Sequence, residues 1–165
     1  MTVLLKAIIT KCTLSGTNTW LVGNGPSKIL IDTGEFGTSE KYVKYLIGTV
    51  FPLTSTTSIS TILLTHGHAD HMGGVQTLLS ELKKSGQPIP KIFKRNVLNG
   101  KFPCSEFHSE NISDGQCFDA STKRRGSEGG NDDELCEVEE EILLKALYTP
   151  GHTDDHVVFT LQVHT

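Results

Sequence analysis

The stretch that decides the fold is Thr65-His66-Gly67-His68-Ala69-Asp70-His71-Met72-Gly73-Gly74. Three of the chain's seven histidines fall here within six residues, beside an aspartate. Neutral imidazole and carboxylate are both good ligands for zinc. In a loop leaving a strand, residues at i and i+2 face one way, so His66 and His68 can share one metal. Asp70 and His71 then turn toward a second. Two metals about 3.5–4 Å apart are the usual arrangement of binuclear hydrolases. A lone histidine is more often a satisfied core residue. That reading fits this cluster poorly.

Upstream of the cluster, Ser60-Thr-Ile-Leu-Leu64 is a short apolar run, the pattern of a strand buried on both faces. Downstream, Val75, Leu78, Leu79 and Leu82 recur at helical spacing from a start near Gly73 or Gly74, and Gly86 closes the helix. Gly73 and Gly74 let the chain enter that helix close to the metals.

Toward the N-terminus, Val3 to Thr10 is apolar and β-branched. Thr19–Val22 and Lys28–Ile31 flank the turn residues Gly23–Ser27 and read as a hairpin. A helix after Thr38 or Ser39 carries Tyr42, Val43, Leu46, Ile47 and Val50, with Pro52 as its stop. Lys91–Phe93 is a short strand. Residues 96–120 read as irregular, and 121–134 as a mobile, disordered loop of low apolar content. Ile142–Tyr148 and Val157–Leu161 read as strands. The first of these ends at Thr149-Pro150-Gly151-His152, a tight turn that presents one more imidazole at a sheet edge. The alternation of strands and helices predicts one α/β domain over 1–165.

Bulk properties narrow the classes. The net charge of −4 argues against a protein whose main task is coating nucleic acid. No apolar run approaches the roughly 18 residues of a membrane helix. The apolar start is short and broken by Lys6, and does not read as a secretory signal. Cys12, Cys104, Cys117 and Cys136 have no knuckle or dithiol spacing and read as scattered thiols. No protein partner is evident. Lys91, Lys94, Arg95 and Lys101, and Lys123–Arg125, are loose basic stretches suited to phosphates, but a solvated face is the commoner meaning of such runs. No aromatic platform for stacking single-stranded bases stands out.

His66-x-His68-x-Asp70-His71 resembles the signature of the metallo-β-lactamase superfamily. Asp32 in Ile31-Asp-Thr-Gly-Glu35 matches its first motif and His152 its third. Together with Asn18-Thr-Trp-Leu-Val-Gly, the stretch Thr149-Pro-Gly-His-Thr-Asp-Asp-His156 resembles the β-lactamase-like protein 2 branch, endoribonucleases of the mitochondrial matrix. The resemblance implies an αββα sandwich, incomplete at the C-terminus. It places metal 1 on His66, His68 and His152, metal 2 on Asp70 and His71, and Asp32 behind the histidine loop. A bridging aspartate and a last histidine that complete the second site in relatives are not matched by Asp155 or His164. The cofactor implied is zinc, two ions in the complete fold.

The implied activity is hydrolysis of single-stranded RNA by a metal-activated hydroxide that Asp70 orients. A glyoxalase II-like thioester hydrolase and a non-catalytic, truncated product binding one zinc are the alternatives. The matrix is the implied location, the cytoplasm the alternative. His156, Asp154 and Asp155 are expected at the rim of the site or behind it, and His108 in solvent.

Overall fold

The computed structural model describes residues 3–6, 16–96, 107–121 and 141–164, the side chains of 3–6 excepted. Residues 7–10 of the Val3–Thr10 strand expectation, residues 122–134 of the expected loop, Lys101, Lys123–Arg125 and three of the four cysteines lie outside those residues. Cys117 is exposed.

Six strands form the first sheet, in the order β1 (Val3–Lys6), β2 (Asn18–Val22), β3 (Ser27–Ile31), β4 (Ser58–Leu64), β5 (Lys91–Lys94) and β6 (Glu110–Asn111). The expected hairpin is β2–β3, antiparallel with Trp20 opposite Ile31. β3, β4, β5 and β6 run parallel. The second sheet is antiparallel, in the order β7 (Cys117–Asp119), β8 (Glu141–Tyr148) and β9 (Val157–His164). β6 and β7 fall in the stretch expected to be irregular. Their two and three residues carry too few apolar side chains to give a period.

The helices cover one face of the first sheet. α1 (Ser39–Tyr45) runs through a π-helical turn at Leu46–Val50 into α2 (Phe51–Leu53). Pro52 therefore does not stop the helix. It has no N–H for the turn before it, and that turn widens to accommodate the ring. α3 (Ala69–Met72) is a single turn and α4 (Val75–Lys84) is the amphipathic helix after the glycines.

Two apolar cores result. Leu21, Leu30, Ile62 and Leu64 pack under Tyr42, Leu46, Val75, Leu78 and Leu82. Val22, Ile29, Ile31 and Leu63 pack against Phe118, Ile142, Leu144, Ala146 and Val157 of the second sheet. β4 contributes to both, which is why its sequence is apolar on both faces. The described residues thus form a helix–sheet–sheet arrangement. Among them no helix follows α4, and none is long and apolar enough to cross a membrane.

Candidate metal centre

β4 ends at Leu64 and delivers the next residues to the edge shared by the two sheets. His66 is buried, at 2% exposure. The ring centroids of His68, His71, His152 and His156 stand 4.6, 4.1, 4.9 and 5.1 Å from its own. His152 arrives from the turn after β8, and Val157 N ties the far end of that turn to Thr65 O at 2.9 Å. One ligand atom from each of His66, His68 and His152 lies within 4.8 Å of the others.

Asp70 and His71 are not in a loop, as the sequence reading had them. They lie on α3, which starts directly after His68 in extended conformation. The helical turn keeps the His71 ring beside that of His66, with centroids 4.1 Å apart, and sets Asp70 next to it. Asp70 and His71 face a cleft of about 440 Å³ together with Asp32, Thr65, His156 and Trp20. His71 Nε2 is 3.4 Å from Asp70 Oδ2, and Thr17 Oγ1 donates to that same carboxylate oxygen at 3.0 Å.

Hydrogen bonds behind the site fix which ring nitrogens point forward. Asp32, 3% exposed, accepts from Thr65 N and Thr65 Oγ1, both at 2.9 Å, and from His71 Nδ1 at 2.7 Å. A carboxylate only accepts, so His71 carries a proton on Nδ1, and the neutral ring has its lone pair on Nε2. Thr65 spends its hydroxyl proton on Asp32, so its oxygen accepts from His66 Nδ1 at 3.0 Å. His66 Nε2 is then the free nitrogen, and it is buried with no hydrogen-bond partner. Leaving a buried acceptor unmet costs about 1–3 kcal/mol. Asp32 reaches these donors from a left-handed backbone, φ 58°, which aspartate tolerates better than most residues.

A metal ion fits this arrangement. His152 Nε2 and His68 Nδ1 are 3.2 Å apart. Two nitrogens at zinc-ligand distance from one tetrahedral ion stand about 3.3–3.4 Å apart. The orphaned Nε2 of His66 supplies the third donor. All three are neutral nitrogen donors, as zinc prefers.

Protonation follows from the same neighbours. Burial, then the positive charge of His71, His68, His156 and His152, pushes His66 down to about 4. Burial also pulls on His71, but the hydrogen bond and charge of Asp32 with the charge of Asp70 outweigh it, and His71 is raised. Burial would raise Asp70. The Thr17 hydrogen bond and the His71 charge hold it below the usual carboxylate range.

A family profile described as "Metallo-beta-lactamase superfamily" matches residues 12–165. The chain belongs to the metallo-β-lactamase superfamily. It is similar to the β-lactamase-like protein 2 homolog of Drosophila melanogaster, 34% identical over 157 residues, covering 93% of this chain and 46% of that protein. It is also similar to the atrochrysone carboxyl ACP thioesterase of Aspergillus terreus, 33% identical over 152 residues, covering 92% of this chain and 37% of the relative. The chain spans less than half the length of either. Among solved structures, the Rm3 metallo-β-lactamase shares the fold at a TM-score of 0.57, with 21% identity, 88% of this chain covered and 50% of that one. Part of the superfamily fold, with a histidine cluster that could hold a metal ion, is thus present.

Other expectations are settled by the same geometry. His156 lines the cleft and holds Thr149 Oγ1 through Nδ1 at 3.0 Å. Asp154 is exposed. Asp155 is not at the rim: it is fully buried, with Lys94 Nζ at 2.7 Å. Lys94 is therefore no surface cation for phosphate. Arg95 lies 3.8 Å over the Tyr148 ring and donates to Ile112 O. His108 is exposed. The sequence reading missed Thr17, Thr65 and Lys94. Thr65 had a signal, standing between a buried strand and the first histidine. Thr17 and Lys94 had none.

Proposed function

We propose that this chain carries the nucleophile-generating half of a zinc-dependent hydrolase, with single-stranded RNA as substrate. The observation that carries the hydrolase reading is the convergence of His66, His68 and His152 on one point, with Asp70 and His71 facing the adjoining cleft. His66, His68 and His152 would hold one zinc, and Asp70 and His71 a second. Zinc bound there lowers the pKa of water toward neutrality and polarises the scissile group. Asp70, low in pKa and oriented by Thr17, is ionised at neutral pH and is placed to hold and take up a proton in the cleft. Asp32 and Thr65 keep the ligand nitrogens of His71 and His66 aimed forward. The RNA assignment is supported by the Thr149–His156 motif and by likeness to β-lactamase-like protein 2 homologs. A location in the mitochondrial matrix belongs to the same reading.

A second reading, thioester hydrolysis, is favoured by two observations. Relatives at 33–34% identity are named as ACP thioesterases. Beside the metal cleft, Trp20, Val22, Ile31, Leu144, Phe159 and Leu161 line an apolar cleft of about 220 Å³ that suits an acyl group better than a phosphate. The deciding experiment gives the zinc-loaded chain a single-stranded oligoribonucleotide and, separately, an acyl thioester. Cleavage of the oligoribonucleotide that His68→Ala abolishes is the expected result. Turnover of the thioester alone moves the assignment to the second reading. Turnover of neither, by a chain shown to hold zinc, refutes both for this polypeptide.

A further inference from the structure

The turn at 149–156 must hold His152 opposite a histidine 84 residues earlier in the chain. Most of its bonds are internal. Thr149 N donates to His156 O, His156 N to Thr153 O, and Thr149 Oγ1 pairs with His156 Nδ1. These shape the turn without placing it. Val157 N to Thr65 O fastens one end to the histidine segment. Beside the contacts among the histidines themselves, a further tie to the first sheet is the ion pair of Lys94 Nζ with Asp155 Oδ2 at 2.7 Å, with side chains 8% and 0% exposed.

The pair sits at a telling place. Lys94 is the last residue of β5 and lies opposite Leu64 of β4, two residues before His66. Asp155 lies three residues after His152 and one before His156. Lys94 Nζ also donates to Arg95 O at 3.1 Å. Lys94 holds the Asp155 carboxyl below the usual range against the opposing pull of burial. A buried ion pair is a weak source of stability, because desolvation offsets its attraction. Net stabilisation thus accounts poorly for two charges placed here. A geometric task accounts for them well.

We infer that Lys94 and Asp155 are positioning residues for the metal centre, holding the 149–156 turn where His152 closes on His66 and His68. The inference rests on the metal-centre reading above. Lys94 is paired with Asp155, which is not one of the ligand histidines. It acts through Asp155, and Asp155 through three residues of backbone.

The test measures zinc affinity of the full chain by competition with a chromogenic chelator, together with the absorption spectrum of the Co(II)-substituted protein. Three proteins are compared: wild type, Lys94→Arg, and the double variant Lys94→Met with Asp155→Leu. The double variant removes both charges at once and leaves neither buried alone. It is expected to unfold cooperatively in urea yet bind zinc at least tenfold more weakly. Its Co(II) bands should shift as His152 leaves the coordination sphere. Lys94→Arg keeps a cation on Asp155 and should retain most of the affinity and the wild-type spectrum. Where the double variant does not fold, Lys94→Gln with Asp155→Asn, which removes both charges and keeps a polar contact, replaces it with the same expectation. A folded variant without the pair, but with wild-type affinity and spectrum, overturns the inference. A wild-type chain that takes up no zinc instead removes the metal-centre reading on which it rests.

Discussion

Asp32 Oδ2 accepts the Nδ1 proton of His71 at 2.7 Å, and this contact decides which nitrogen of His71 is left for a metal. In Asp32→Asn the amide can donate as well as accept, and the negative charge is gone. The His71 tautomer is then no longer forced. Loss of such a supporting partner typically costs 10–100-fold in metal affinity. Zinc affinity at the proposed Asp70–His71 position should therefore fall by about that factor. Elemental analysis and zinc titration of the variant check this. Unchanged stoichiometry and affinity would take Asp32 out of the site.

His66 and His71 are near neighbours with opposite protonation behaviour. His66 is pushed down to about 4, so it stays neutral through the weakly acidic range. Its neutral burial stabilises the fold above its unfolded value of about 6.5. That contribution fades as pH falls toward 4. His71 is raised, so its charged form stabilises the metal-free fold below the same unfolded value. That contribution fades as pH rises through the raised folded value. A metal at His71 must displace a proton that a metal at His66 need not. Zinc uptake at the Asp70–His71 position should rise with pH into the range above 6.5, after the His66 position is competent. Ring-proton NMR of the metal-free chain, titrated with acid, should show His66 moving near pH 4 and His71 above 6.5. The reverse order contradicts the arrangement.

The glycines that follow α3 have a packing task with a clear sign. Gly74 has an ordinary helical φ of −84°, so its backbone does not require glycine. It is the N-cap of α4, where alanine gains nothing over glycine even without a neighbour. A Cβ at Gly74 would fall on the carbonyl oxygen of Thr33, in the loop that follows Asp32. Gly74→Ala should therefore destabilise, by roughly 1–3 kcal/mol, as overpacked sites do. Urea unfolding measures it. A stabilised variant would show that the loop yields freely and does not brace Asp32.

The parts legible in the sequence are those with a short period or a dense motif. β4 shows itself because both its faces are buried. α4 shows itself by four apolar residues at helical spacing. The histidines show themselves by crowding. What stayed hidden depends on contacts between distant segments. Lys94 reads as one of several surface cations, because nothing local marks the carboxylate 61 positions later in the chain. Thr17 carries no local mark of its contact with Asp70, 53 positions later in the chain. Pro52 reads as a stop because local rules do not include a π-helical turn widening to accept it. β6 and β7 are too short to carry a pattern.

Thr65 is the residue whose removal separates support from ligation. Its hydroxyl donates to Asp32 and accepts from His66 Nδ1, while its backbone N–H separately reaches Asp32 Oδ1. Thr65→Val keeps the shape, the β-branch and the backbone bond, and deletes only the relay. His66 Nδ1–H is then buried without a partner, and the other tautomer, with the proton on Nε2, becomes competitive. That tautomer cannot bind a metal through Nε2. Thr65→Val should thus weaken zinc binding at His66, His68 and His152 by about tenfold or more. The cost in stability should be about 1–3 kcal/mol for the orphaned donor. Thr65→Ser restores the hydroxyl and should restore affinity. If Thr65→Val and Thr65→Ser bind zinc equally well, the hydroxyl does not set the His66 tautomer, and the burial of His66 must hold the ring by packing alone.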